Sequence, residues 1–423
     1  MNPIPYGRQH ITYEDIQAVV DTLCSDYLTQ GPKIAEFEQA FVKYIGCKYA
    51  VALANGTAAL HLCAMALNVQ PGQKVITTPI TFAASANCVR YCGGEVVFAD
   101  IDPNTYLLDI NKVRLLLEAS PKGTYAGIIP VDFAGRAVNL EEYRKLANEY
   151  GLWIIEDACH APGGFFIDNK GTKQLCGNGN YADLAIFSFH PVKHIACGEG
   201  GMITTNDEAL YKRLLKLRTH GIVKEDTQYS NSIEFAIGSE QSAVNGKQET
   251  GNSEQPTAHG SQLTGHSSPS SAYPAWYMEM QELGYNYRLT DFQAALGISQ
   301  LKRAEEGLEK RREIAKLYNE AFKGKNFIMG QSGVIGGHAY HLFIIEVNDR
   351  LGLYNYLREH KIFAQIHYIP CHLMPYYRSQ GWKEGDLPYS ENYYRGCISL
   401  PMYPSLTDND IHYIIKQILN YYL

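Results

Sequence analysis

The stretch DLAIFSFHPVKHIACGEGGMITT, residues 183–205, decides how the chain is read. It opens with an apolar run, Leu184 to Phe189, that predicts a buried strand, and it closes with another, Met202 to Thr205. The Gly-containing loop between them carries Lys193. An ordinary lysine has a pKa of about 10.4 and is a poor nucleophile at neutral pH. A lysine held between two buried strands loses hydration, so its pKa falls and its amine becomes free for Schiff-base chemistry. A solvated loop lysine is the plain alternative, and the neighbouring segments must decide between the two.

Upstream, Tyr49–Leu53 predicts a strand that runs through Asn55-Gly56-Thr57 into an Ala-rich helix. Free N–H groups at such a helix start, with the Thr57 hydroxyl, can hold a phosphate, and Gly56 lets the backbone approach it closely; an ordinary capped helix start is the alternative. Phe82 follows the strand Val75–Thr78 at a turn into the helix Ala83–Tyr91, where its ring can lie over a planar ligand or simply join the core. Leu152–Glu156 is a continuous apolar strand ending in Asp157-Ala158-Cys159-His160. A carboxylate in that place must be paired; a cationic heterocycle nitrogen suits it, His160 can hold it, and a structural salt bridge is the competing reading. Buried strands separated by helices predict a parallel, helix-covered sheet, in which ligands bind beyond the carboxyl ends of the strands.

The chain is long enough for two domains or one large domain with an appendage, and its remainder continues the α/β pattern. Helices are predicted over Thr12–Ser25, Pro32–Ile45, Asn111–Ala119, Leu140–Tyr150 and Asp207–Thr219, and one long helix over Phe292–Lys323. Strands at His341–Val347, Ile362–His367 and Cys397–Leu400, with helices Arg350–His360 and from Asp408, form a small C-terminal α/β domain. Residues 227–272 turn to Ser, Gly, Gln, Asn, Thr and Glu, which predicts a disordered insertion. The expected division is an N-terminal segment 1–30, a large domain 31–226, the insertion 227–272, a long-helix linker 273–325 and a small domain 326–423.

A net charge of −7 and no Lys/Arg run give no footprint for nucleic acid. No apolar stretch approaches the ~18 residues of a membrane span, and MNPIPYGRQH carries no signal-peptide core, so the expected place is the cytoplasm. The ten cysteines contain no C-x-x-C and are expected to be small buried hydrophobes. His338, His341, His360, His367 and His372 share no helical face or carboxylate pattern, so no metal is expected. CGNGNYA (176–182) lacks the G-x-G-x-x-G spacing and no strand is predicted before it, which argues against a nicotinamide enzyme.

A phosphate cup, an aromatic shelf, a carboxylate for a ring nitrogen and a loop lysine, in that order on one sheet, are what pyridoxal 5′-phosphate requires. The segments NGTAAL (55–60), TTPITFAASAN (77–87), EDACHA (156–161), SFHPVKHIACGEGG (188–201), RTHGI (218–222) and GYNYRLTDFQAALG (284–297) make the chain resemble the DegT/DnrJ/EryC1/StrS sugar aminotransferases. Within that family HPVKHI, IPYGRQHI and QIHYIP are most similar to the UDP-sugar 4-aminotransferases of pseudaminic acid biosynthesis.

The resemblance implies a pyridoxal-phosphate-dependent transferase of fold type I: a large domain on a mostly parallel seven-stranded sheet, a small C-terminal domain, and a homodimer with shared active sites. By position it makes Lys193 the Schiff-base lysine, sets Asp157 against the pyridine nitrogen with His160 beside it, and stacks Phe82 on the ring. Gly56, Thr57 and Ser188 would hold the phosphate, and Asn286 would reach across from a second copy. Tyr6, Asp26, Tyr27, Leu28, Thr29, His367, Tyr368, Ile369 and Pro370 would line the pocket of a UDP-sugar, with L-glutamate and 2-oxoglutarate as the other substrate pair. Asn55 stands where many relatives have Ser, a mild departure; Ala196-Cys197, where Thr-Thr is common, is the sharper one and bears on fine substrate choice, not on the cofactor. Two rivals keep the fold: a dehydratase with histidine in the lysine's place, and a non-catalytic sensor or scaffold.

Overall fold

The computed structural model describes residues 2–237, 273–329, 333 and 335–422. They form two compact units, residues 1–214 with 287–423, and residues 215–286.

The larger unit is built on a seven-stranded sheet in the order Tyr49–Leu53, Gly201–Thr205, Leu184–Ser188, Trp153–Asp157, Tyr125–Ile129, Lys74–Thr77, Glu95–Phe98. Gly201–Thr205 runs antiparallel to both of its neighbours, and the other pairings are parallel. Six strands therefore point one way, and the sheet is mostly parallel, as the sequence implies. Continuous burial explains the apolar runs: Val51, Ala52, Leu53, Ile154, Ile155 and Leu184 to Phe187 are all fully buried.

The carboxyl ends of these strands gather Asn55, the 78–82 turn, Asp157 and Ser188 along one edge of the sheet. The antiparallel strand starts at that same edge, because Gly201 pairs with both Leu53 and Ser188. A side chain at 201 would run into the Asn55 carbonyl, so the last glycine of GEGG lets the lysine loop close against the helix start.

Helix Tyr13–Leu23 has the capping box expected from Thr12 and Asp15, and Pro32–Ile45 has its predicted bounds. The predicted long helix is two helices, Asp291–Leu301 and Ala304–Phe322. Arg303 leaves helical geometry (φ −111°, ψ 10°), and its guanidinium instead binds the buried Asp15 carboxylate at 2.6 Å. Charge pairing across elements thus overrides helix propensity at the joint.

The small domain has a three-stranded antiparallel sheet, Ile328–Met329, Phe343–Val347 and Cys397–Leu400, packed with helices Arg350–Glu359 and Asp408–Tyr421 around Ile314, Tyr318, Leu353, Leu357, Ile411 and Ile414. The N-terminal residues Ile4–Pro5 join this region by pairing with Ile362–Phe363. A hairpin not foreseen from the sequence, Phe165–Ile167 with Lys173–Leu175, places a strand directly before CGNGNYA and corrects that part of the argument against a nicotinamide site. The glycine spacing is unaffected, and the Gly177 amide is used structurally, donating to Glu156 at 2.9 Å.

Residues 215–286 pair Ile222–Val223 with Glu279–Met280. Residues 227–237, expected to belong to the unstructured insertion, include part of a 3₁₀ turn, Asp226–Gln228, and a short helix, Ile233–Ile237. Glu279 accepts the amides of Ser230 (2.7 Å) and Asn231 (2.9 Å) and ties this start to the far flank. The rest of the expected insertion, 238–272, lies outside the described residues. No helix among the described residues is long and apolar enough to cross a membrane. None of the ten cysteines forms a disulfide, and seven are buried.

Candidate active site

Lys193 lies in the loop between the antiparallel strands Leu184–Ser188 and Gly201–Thr205. The loop closes on itself: the Phe189 amide donates to Gly200 O at 2.8 Å, the Cys197 amide to Phe189 O at 3.0 Å, and the Lys193 amide to His190 O at 2.8 Å. Lys193 as a whole is half-buried, but its amine is enclosed. Burial lowers its pKa; the neighbouring Cys159 and Asp157 pull the other way, and Arg311 adds to the fall.

From Lys193 the contacts run through three histidine and tyrosine side chains back to the ring of Phe82. Lys193 Nζ lies 3.4 Å from His341 Nε2. The His341 ring is 4.3 Å from that of His160, and His160 Nε2 is 3.3 Å from the Tyr368 hydroxyl. The Tyr368 and Phe82 ring centroids are 6.4 Å apart. Because His160 Nδ1 accepts the Ala134 amide (3.3 Å), a neutral His160 must carry its proton on Nε2 and donate it to Tyr368. Burial, reinforced by the charge of Lys193, holds both His160 and His341 well below the usual histidine range. The lysine amine is therefore surrounded by neutral imidazoles. Arg311, 1% exposed, fixes the segment beyond by donating from Nη1 to the carbonyls of Tyr340 (3.1 Å), His341 (3.3 Å) and Met402 (2.8 Å).

Asp157 is buried, and its two oxygens have separate partners. Oδ2 accepts the Ser85 hydroxyl at 2.6 Å, and Oδ1 accepts the Cys159 amide at 3.2 Å. The expected holding role of His160 is corrected here: its ring nitrogens are committed to Ala134 and Tyr368, and Ser85 takes that place. Ser85 lies one turn beyond Phe82, and nothing in TFAASAN singles out that serine; only the fold shows which carboxylate it meets.

The phosphate candidates also converge. Asn55 caps helix Gly56–Ala66 by accepting the Ala58 amide at 2.8 Å, which leaves the Gly56 and Thr57 amides at the helix tip. A Cβ at Gly56 would stand 3.1 Å from Ser188 Cβ and 3.6 Å from Cys159 Sγ, so the tip, Ser188 and the segment after Asp157 are in mutual contact. Phe82 is 63% exposed, a large apolar residue left uncovered by the protein.

The candidate substrate residues divide. Tyr6 meets His367 with ring centroids 5.1 Å apart, and His367 and Tyr368 adjoin the site just described. The Cys371 amide donates to Pro79 O at 2.8 Å and brings Ile369 and Pro370 beside the Phe82 turn. Residues 26–29 instead lie along the start of helix Asp291–Leu301: Thr29 bridges Thr290, and Leu28 O accepts the Asp291 amide at 3.0 Å. Asn286 belongs to the 215–286 unit, where it bridges Thr219.

On the other face of strand Trp153–Asp157, Glu156 meets Asp132 and Cys176, with their candidate ligand atoms within 4.8 Å of one another. Burial raises the proton affinity of both carboxyls, and the Asp132 charge adds to the rise at Glu156, so this group reads as a proton-sharing pair. The five histidines considered as ligands have other neighbours: His338 accepts the Tyr340 amide, His341 meets Lys193, and His360, His367 and His372 contact Tyr356 O, Ser399 Oγ and Glu391.

The chain is similar to known proteins along nearly its whole length. The model of the DegT/DnrJ/EryC1/StrS aminotransferase family matches residues 9–419. The spore coat polysaccharide biosynthesis protein SpsC of Bacillus subtilis is 35% identical over 98% of this chain and 96% of its own. The UDP-4-amino-4,6-dideoxy-N-acetyl-beta-L-altrosamine transaminase of Campylobacter jejuni (serotype O:2) is 33% identical over 97% and 95%. Among solved structures, the PLP-form of the putative sugar aminotransferase Spr1654 from Streptococcus pneumoniae superimposes with a TM-score of 0.79 at 25% identity, covering 99% of this chain and 98% of that one.

The family's cofactor is pyridoxal 5′-phosphate. The residues present fit it. The helix tip beside Ser188 offers amides to a phosphate, Lys193 offers an enclosed amine, and the Asp157 carboxylate keeps lone pairs beyond the two it uses. Phe82 offers a bare aromatic face.

Proposed function

The chain belongs to the DegT/DnrJ/EryC1/StrS aminotransferase family, and we propose that this sugar aminotransferase moves an amino group from L-glutamate to C4 of a UDP-linked 4-keto-6-deoxy-N-acetylhexosamine. The product is UDP-4-amino-4,6-dideoxy-N-acetyl-β-L-altrosamine, and 2-oxoglutarate leaves. The enclosed Lys193 amine, whose proton affinity is lowered by burial, is the observation that supports amino transfer. The likeness to the Campylobacter enzyme along nearly the whole chain supports this sugar. The likeness to SpsC supports a second reading, a different nucleotide sugar aminated at C3 or C4.

Bound pyridoxal 5′-phosphate supplies an aldehyde that condenses with amines and a ring that withdraws electrons from the carbon bearing them. Gly56, Thr57 and Ser188 would hold its phosphate, Phe82 its ring face, Asp157 its ring nitrogen and Lys193 its aldehyde. Once free, the Lys193 amine takes the proton from Cα of glutamate as general base and later returns one as general acid. His341 Nε2, at 3.4 Å, orients that amine. Its neutral ring adds no charge that would oppose protonation of Nζ. Tyr6, His367 and Tyr368 line the approach for the sugar, and the Tyr368 hydroxyl meets His160. Two copies of the chain would share each site, with Asn286 given by the second.

The test incubates the purified holoenzyme with the UDP-linked 4-keto-6-deoxy sugar and L-glutamate and resolves the new stereocentre by NMR. An equatorial or axial amine other than that of the altrosamine product, or amination only of a 3-keto sugar, replaces this substrate with the second reading.

A further inference from the structure

We propose that Ser85 is a positioning residue which, through one hydroxyl and one amide, locks the Asp157 carboxylate and the Phe82 turn into a single unit. The inference rests on the reading of Asp157 and Phe82 as the two groups that face the cofactor ring.

Ser85 is fully buried in helix Ala84–Tyr91. Its hydroxyl donates to Asp157 Oδ2 at 2.6 Å, and its backbone amide donates to Phe82 O at 3.2 Å. A hydroxyl has one proton, and an ionised carboxylate has none to give. The hydroxyl proton of Ser85 is therefore spent on Asp157. The neighbouring Thr81 Oγ1, 2.8 Å from Ser85 Oγ and 1% exposed, must then be the donor to Ser85. The result is a directed chain, Thr81 to Ser85 to Asp157, that starts in the turn carrying Phe82.

The same turn is braced from the small domain. Cys371 donates its amide to Pro79 O at 2.8 Å and its thiol to Thr81 O at 3.5 Å. With the Cys159 amide on Oδ1, the carboxylate is held at both oxygens and cannot rotate without breaking a bond. Ser85 thus fixes the position of Asp157 relative to the Phe82 shelf.

The test titrates the apoprotein with pyridoxal 5′-phosphate and follows the pH midpoint of the bound cofactor's visible absorbance in the wild type, Ser85→Ala and Thr81→Val. Loss of a buried charge-assisted bond is expected to weaken cofactor binding about 10- to 100-fold in Ser85→Ala. The less neutralised carboxylate holds nearby cationic protons more tightly, so the midpoint rises by about one unit. Thr81→Val, which keeps the shape and removes the donor, shifts both quantities in the same direction by less, and it carries the comparison alone should Ser85→Ala not fold. Apoprotein melting temperatures close to wild type separate this from a packing defect. Binding within about twofold of wild type and an unmoved midpoint in both variants overturn the proposal. A wild-type protein that fails to bind the vitamer overturns the underlying reading of the site instead.

Discussion

Replacing Phe82 by alanine separates a ligand-facing ring from a core ring. Truncating a fully buried phenylalanine costs about 3–5 kcal/mol. Phe82 is 63% exposed, so only a little over a third of the residue is covered by protein. The expected loss for the apoprotein is about 1 kcal/mol, a melting shift of no more than about 2–4 °C in a chain of this size. With pyridoxal 5′-phosphate present the ring gains a stacking partner worth about 0.5–1.5 kcal/mol beyond the area it buries. Phe82→Ala should therefore weaken cofactor binding by at least about 2- to 13-fold while leaving the apoprotein nearly intact. Two measurements decide: fluorescence titration of the apoprotein with the cofactor, and thermal melts with and without it. The variant should lose part of the cofactor-induced rise in Tm. An apoprotein that melts more than about 8 °C lower with an unchanged Kd would refute the reasoning, because Phe82 would then be a packing residue.

Lys193→Ala should remove covalent capture of the cofactor, so borohydride no longer fixes it to the protein, and turnover should fall by about 10²–10⁴-fold; near wild-type transamination would sink the assignment. Gly201→Ala forces a methyl against the Asn55 carbonyl and Gly56 amide, and should cost about 1–3 kcal/mol of stability along with cofactor affinity, read from apoprotein and holoprotein melts. Asp132, beside Glu156, has its pKa pushed up from 3.8 to about 7 by burial. The folded state then binds more protons than the unfolded chain between those values, so this pair's contribution to stability is greatest below pH 4 and is lost as the pH rises towards 7. Asp132→Asn should flatten that loss, so its melting temperature relative to wild type increases from pH 5 to pH 8; equal pH dependence in both proteins contradicts the shared proton. Mixing inactive Lys193→Ala and Asn286→Ala copies should restore about a quarter of wild-type activity if each site draws on both subunits, since half the dimers are mixed and each holds one intact site; no recovery after verified subunit exchange argues for self-contained sites.

Several parts of the site were legible in the linear chain because each depends on local order. The strands around Lys193 follow from apolar runs flanking a glycine loop. The helix tip at Asn55–Thr57 follows from strand, Asn-Gly-Thr and an Ala-rich run, and helices Pro32–Ile45 and Leu140–Tyr150 have the bounds their periodicity predicts. The break at Arg303 was not legible, because its cause is a carboxylate 288 residues away. The same holds for Ser85, whose partner Asp157 is 72 residues on, and for His341, which meets a lysine 148 residues before it.

The sequence alone determined the chemistry: which residue could be the nucleophilic amine, which carboxylate could meet a cation, and that a parallel sheet would carry both to its carboxyl edge. Only the tertiary structure decided what surrounds that amine. Its neutral histidines and the partners of Asp157 come from elements distant along the chain. Their contacts are fixed by strand order and by the small domain docking on the sheet edge, and no local pattern encodes either. Burial strength, and with it the lowered proton affinity of Lys193, is likewise a property of that assembled surrounding.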